Sequence, residues 1–213
     1  MSSSESKTDN VISQLVENKI LQFRLMTESD ISYVVRHVQS GYRGETSTIG
    51  WTHESNLVDG QRVDESMLID VLRSKSEVYL LVYNATTNVD NDKTVKMINE
   101  TCNLSENYIV GCIQLDFCTD IIHFGMFAVN PKLQNIGCGR WLLQNAEDLA
   151  MKRNIKRIGM SVISVREELI AWYKRRGFET TGITAKFPDD KRFGIPKVEN
   201  LYFIEMEKKL EED

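Results

Sequence analysis

Twelve residues, Val129 to Arg140 (VNPKLQNIGCGR), restrict the fold of this chain more than any other stretch. An apolar run from Ile121 to Val129 leads in, and Leu142, Ala146, Leu149 and Ala150 follow at helical spacing, so the stretch is a strand-to-helix turn. Gly137 and Gly139 let the backbone turn tightly and pass close to a ligand. The start of the helix directs unpaired N–H groups and a partial positive charge to the same place. Such a turn suits phosphate. It lacks the Lys-Ser/Thr of an ATP-binding P-loop, and two glycines alone do not specify a dinucleotide site.

The same rhythm organises the rest of the chain. Leu21–Met26 alternates like a half-buried strand. Thr27, Glu28 and Asp30 then open a helix carrying Ile31, Val34, Val35 and Val38. Asp64 caps a second helix with Met67, Leu68, Val71 and Leu72, and Val78–Tyr83 is a strand. Tyr108–Phe117 and Ile121–Val129 form a hairpin, and 140–153 is a helix. Strand 157–163 and helix 167–176 follow, the latter stopped by Gly177. Strands 178–187 and 201–206 close the sheet, the last apolar on both faces as for a strand covered on both sides. This order implies an α/β fold with a mixed sheet and helices on both faces.

With 213 residues, one domain is expected, 13–213, behind a mobile polar tail at 1–12 and with a polar hairpin insertion at about 85–107. Lys plus Arg number 26 against 31 Asp plus Glu, a net charge of −5, which argues against nucleic acid as a partner. No apolar run is long enough to span a membrane and the N-terminus lacks a secretory pattern, so a soluble cytoplasmic protein is expected. The four cysteines form no C-x-x-C pair and no histidine completes a zinc site, so reduced thiols and no metal are expected.

Gln134, Gly137 and Gly139 fit the pattern Q/R-x-x-G-x-G/A, and Tyr173-Lys174-Arg175-Arg176-Gly177-Phe178 fits an apolar helix ending Y-x-x-x-G-F. Together and in this order, the two motifs resemble the GNAT superfamily of acyl-CoA N-acyltransferases, strongly from Phe124 to Phe178 and more weakly across 21–207. The segments GWTHESNL and GQR and the ending LYFIEMEKKL resemble an uncharacterised microbial branch of it. The resemblance implies a mostly antiparallel central sheet splayed between its fourth and fifth strands, and an acetyl-CoA-dependent N-acetyltransferase.

It also implies roles. Main-chain groups of Phe127, Ala128 and Val129 would bind the pantetheine arm, and backbone N–H groups of Gln134, Asn135, Ile136, Gly137, Cys138, Gly139 and Arg140 the pyrophosphate. Tyr173 stands at the family's tyrosine position, where its hydroxyl would protonate the departing thiolate. His123, six residues before Val129, would take the proton of the attacking amine, with Glu54, Asp59 and Asp116 in reserve. Where many members have Gly after the motif glutamine this chain has Asn135, which tolerates a left-handed conformation. Arg166 replaces a common Asn and would either pair with a CoA phosphate or lie in solvent. Cys138 has no neighbouring base to make it a nucleophile.

Trp51, His53, Glu54, Asp59, Gln61 and Arg62 lie in the region that covers the acceptor in this family. A tryptophan with acidic neighbours, on an acidic chain, suits a positively charged amine. The expected reaction acetylates a small primary amine by direct attack in a ternary complex. One rival is a protein N-terminus or lysine, held in a peptide-wide groove formed by 42–62 and 186–199. The other is a non-catalytic CoA-binding module. A homodimer pairing or exchanging C-terminal strands is compatible with the sequence.

Overall fold

A computed structural model describes residues 5–84, 93–102 and 108–211, with side chains from residue 11 onward. The chain opens with α1 (Glu5–Glu17), β1 (Leu21–Leu25), α2 (Ile31–Tyr42), the two-residue strand β2 (Val58–Asp59), α3 (Glu65–Arg73) and β3 (Glu77–Tyr83). Next come α4 (Lys93–Thr101), β4 (Ile109–Phe117), β5 (Ile122–Val129), α5 (Cys138–Lys152), β6 (Arg157–Ile163) and α6 (Glu167–Lys174). The described chain ends with β7 (Glu179–Lys186), β8 (Ile195–Pro196) and β9 (Tyr202–Lys209). Seven strands form one sheet in the order β1-β3-β4-β5-β6-β9-β7, and β2 pairs with β8 in a separate ribbon.

Every neighbour pair in the main sheet is antiparallel except β5 and β6. The apolar stripes anticipated for the helices face the core in the main, except that α3 buries only Leu68 and leaves Leu72 exposed. On one face α2 and α3 place Ile31, Val34, Val38 and Leu68 against Leu80 and Val82 of β3. On the other, α1 and α5 place Ile12, Leu15, Leu142 and Ala146 against Leu81, Ile113 and Leu115. Burying an aliphatic side chain of this size is worth about 1.5–3 kcal/mol, so these two layers hold the helices on the sheet.

Three expectations are corrected. Residues 5–12 are not a tail but the first turns of α1, because Ile12 and Leu15 give the helix an apolar stripe buried to 3% exposure or less, and Trp141 Nε1 donates to Ser13 Oγ (3.1 Å). The described part of the 85–107 insertion is α4 rather than hairpin, anchored by buried Val95 and Ile98 and by the Tyr83 hydroxyl on Asn99; 85–92 and 103–107 lie outside the described residues. β9 is an inner strand of the ladder, yet only Met206 is buried along it, and Tyr202 is 41% exposed; it is enclosed by hydrogen bonds, not by two layers. Within 42–62, Val58 and Asp59 form a strand, pairing with Pro196 and Ile195.

The splay falls between the fourth and fifth strands of the main sheet, β5 and β6. They pair only at Ile122–Ile158 and His123–Gly159, and then separate. β5 is bent there by a bulge: Met126 and Phe127 together oppose Ile113 of β4, and Met126 takes a left-handed φ of 42°. A non-glycine residue in that region is strained and persists only when its surroundings hold it. They do: Cys112 Sγ donates to Met126 O (3.3 Å), Tyr42 Oη to Phe127 O (2.8 Å), and His37 Nε2 lies 3.4 Å from Ala128 O.

Candidate active site

Two cavities flank the splay. The first, about 360 Å³, lies over the turn into α5; the second, about 440 Å³, lies over the opened face of β5 and β6. Tyr42, Phe127, Arg166, Leu169 and Tyr173 line both, so the two volumes meet at one wall.

The first cavity is lined by Phe127, Val129, Gln134, Asn135, Gly137, Gly139, Arg140 and Arg166 of the predicted set. Asn135 and Gly137 hold left-handed φ values of 69° and 96°, which is how this backbone curls under the start of a 15-residue helix. Arg175 and Arg176 also line it, and no carboxylate does. Sequence reasoning passed over these two arginines inside the motif Y-K-R-R-G-F, although Arg176 stands one helical turn after Tyr173. Arg176 rests over the Trp172 ring at 3.5 Å and donates to its carbonyl. A glycine-floored, arginine-rimmed cavity at a helix start fits the phosphates of a CoA thioester.

Three predicted cofactor residues do not line it. Ala128 is buried, Ile136 packs on the core, and Cys138 is 1% exposed with burial pushing its thiol up to about 12. A thiol so held is a poor nucleophile at neutral pH. Gln134 spends its side chain on the neighbouring loop: Oε1 accepts from Trp51 N (3.0 Å) and Nε2 donates to Thr52 Oγ1 (2.8 Å), with the chain passing at Gly50, where a methyl would come within 2.8 Å of it.

Tyr173 is 4% exposed, ringed by Phe124, Trp172 and Phe178, and burial raises its pKa far above the ordinary phenol value. It therefore stays protonated, the form that can donate. His123 lines the second cavity with Tyr173. Of the predicted acceptor residues, Glu54 and Arg62 line that cavity, Trp51 lines the first, and His53, Asp59 and Gln61 line neither. His53 instead bonds Ser55, Gln61 bonds Asp64, and Asp59 is exposed on the ribbon.

Arg166 neither lies in solvent nor points free at a phosphate. Its guanidinium donates to Glu54 Oε1 (2.9 Å) and to the Thr52 carbonyl, while Arg43 donates to Glu54 Oε2 (2.8 Å). The three side chains are 3–8% exposed. Both oxygens of Glu54 thus hold a guanidinium, which leaves this carboxylate occupied rather than available as a base.

The model of the Acetyltransferase (GNAT) family matches residues 68–178, just over half of the chain. The chain belongs to the GNAT acetyltransferase family. Solved members share its fold. The ribosomal-protein-S18-alanine N-acetyltransferase from Escherichia coli is similar over 91% of this chain and 96% of its own, with a TM-score of 0.58 at 14% identity. A GNAT family acetyltransferase from Elizabethkingia anophelis with acetyl-CoA bound is similar over 90% and 99%, with a TM-score of 0.53 at 17% identity. A spermidine N-acetyltransferase chimera drawn partly from Vibrio cholerae is similar over 89% and 95%, at 0.55 and 13%. GNAT acetyltransferases take the acetyl group from acetyl-CoA and act on amines, those of proteins and of small molecules alike. Among the described residues, no helix is long and apolar enough to cross a membrane.

Proposed function

We propose that the protein transfers the acetyl group of acetyl-CoA to the primary amine of a small molecule, by direct attack within a ternary complex. The observation that carries this reading is the shared wall: Tyr173 borders both the phosphate-suited cavity and the cavity over the splay, so two ligands placed in them would meet at its side chain. Acetyl-CoA supplies the activated thioester. The residues do the rest. The turn 134–140 with Arg140 and Arg175 holds the phosphates, and the bulged backbone at Phe127–Val129 aligns the pantetheine arm. His123, or a water it orients, takes the proton from the attacking amine. The nitrogen forms its bond to the carbonyl carbon, the C–S bond breaks, and Tyr173 gives its proton to the leaving thiolate. Holding both reactants in one geometry supplies much of the acceleration.

A small acceptor is favoured over a peptide by the ribbon. The two segments that would have formed the walls of a peptide groove are hydrogen-bonded to each other across β2 and β8, and Lys197 N donates to Leu57 O (2.8 Å), which ties together the segments carrying Arg62 and Phe193 of the acceptor cavity instead of parting them.

Tyr173→Phe tests the mechanism. Turnover, followed as thiol release over a panel of amines, should fall at least tenfold, because a positioned proton donor contributes about 10²–10⁴-fold, while acetyl-CoA affinity stays within about twofold. Unchanged turnover would remove Tyr173 as the acid.

A further inference from the structure

The acceptor cavity carries a charge opposite to the one the acidic chain suggests. Arg43, Arg62 and Arg166 line it with one carboxylate, Glu54, which is shared between Arg43 and Arg166. Two positive charges are left uncompensated. Arg62 forms no ion pair among the described residues; its guanidinium lies 5.3 Å from the centre of the Tyr42 ring. Arg43 is 3% exposed, and its Nε is a buried donor with no hydrogen-bond partner. A buried guanidinium donor left unmade is costly, and a wall with surplus guanidinium charge repels an ammonium while favouring an oxyanion, which guanidinium forks can hold in two-point fashion. The remaining wall is apolar and aromatic: Met160, Val162, Phe187, Phe193 and Phe203. At Gly125, on the floor, an added methyl would meet nothing within 4 Å.

Resting on the transferase reading above, we propose that the acceptor is a free amino acid with an apolar side chain. Its carboxylate is held by Arg62 beside the buried Arg43–Glu54–Arg166 cluster, its body lies among Phe187, Phe193 and Phe203, and its amine is left facing Tyr173 and His123. Charge and lining thus replace the cationic acceptor expected from composition with one that carries a carboxylate beside its amine.

The test uses the full chain and two readouts. Thermal unfolding with acetyl-CoA reports whether the cofactor binds. Thiol release then compares phenylalanine, leucine and methionine with their carboxamides, with their decarboxylated amines, and with spermidine. The expected result is a stabilising shift with acetyl-CoA and a kcat/KM at least tenfold higher for the free acids than for the amides. In Arg62→Gln that preference collapses through a higher KM for the acids, and Arg62→Lys restores part of it. Amides or amines equal to or better than the acids would overturn the proposal while leaving the transferase reading intact; a preference for amides would point to a peptide N-terminus and one for spermidine to a cation site. A shift with acetyl-CoA but no turnover of any acid would equally overturn it. No shift with acetyl-CoA would sink the transferase reading, and this proposal with it.

Discussion

Glu54→Ala isolates the buried charge network on which the acceptor wall is built. The substitution deletes both ion pairs, at 2.8 and 2.9 Å, and leaves the Arg43 and Arg166 guanidiniums buried at 3% and 8% side-chain exposure. Breaking a buried pair by removing one partner costs about 3–5 kcal/mol, chiefly because the other charge is stranded. Here two are stranded, although each keeps a backbone carbonyl, at Phe193 and Thr52, which limits the loss to that range. For a domain of this size that is a fall of roughly 6–20 °C in Tm. Urea unfolding should show the same loss at an unchanged slope. Because the pairs are buried, 1 M NaCl should leave the difference in place, whereas exposed pairs would be screened. The triple replacement Arg43→Met, Glu54→Leu, Arg166→Met should regain most of the stability, since no charge remains to be stranded. A loss below about 1 kcal/mol, or one that vanishes in salt, would refute the reasoning, because it would mean that water reaches the network.

Three further outcomes are expected. In Gly194→Ala the new methyl would come within 2.6 Å of Val58 Cγ1 and 2.7 Å of Asp59 O at a φ of 99°; the ribbon should part, at a cost of about 1–3 kcal/mol, raising the amine KM several-fold while acetyl-CoA binding holds. An unchanged amine KM would show that the ribbon does not hold the acceptor cavity together. Burial pushes the pKa of His37 down from 6.5 to about 4, so the unfolded chain binds more protons between those values; the stability this contributes is complete above about pH 6.5 and is lost as pH falls through 4, about 3 kcal/mol in all. Melting curves of His37→Gln should lack that slope, and equal slopes in the two proteins would refute it; Asp30, whose carboxyl is held below its ordinary 3.8 mainly by Arg24 against the cost of burial, acts at lower pH. A thiol reagent should label one cysteine of the native protein, exposed Cys118, and four in denaturant, since burial pushes Cys102, Cys112 and Cys138 to about 12; fast labelling of more than one would contradict the packing.

What the sequence made legible was whatever a local pattern encodes. The turn before α5, the capping Asp64, the stop at Gly177 and the strand carrying His123 each depend on neighbours within a few residues. The missed parts depend on distance. Arg166 meets Glu54 across more than a hundred residues, and no periodicity announces such a pair. β2 and β8 are two residues each, too short to alternate. α1 and α4 carry their apolar stripes on three or four residues amid polar ones, which reads as solvated chain until a partner such as Trp141 or Tyr83 is placed beside them. Net charge misled for a related reason: a chain of −5 gathers three arginines in one cavity because folding sorts charge by place.

The splay makes the seven-stranded sheet two plates on a single fulcrum. β1, β3, β4 and β5 form one plate and β6, β9 and β7 the other; their backbones are joined through only two residue pairs, and one core beneath α5 runs under both. The fulcrum is tight: a methyl at Gly159 would have Ile121 and Glu207 at 3.1 Å. From His123 to Val129 the free arm is about 20 Å long, so a tilt of about 5° at the fulcrum moves its far end by about 2 Å. That is more than half the reach of a hydrogen bond. A small change of angle at a point that touches neither the loop at Gly137 nor the arginines is therefore enough to make or lose the hydrogen bonds that would bring two ligands into line.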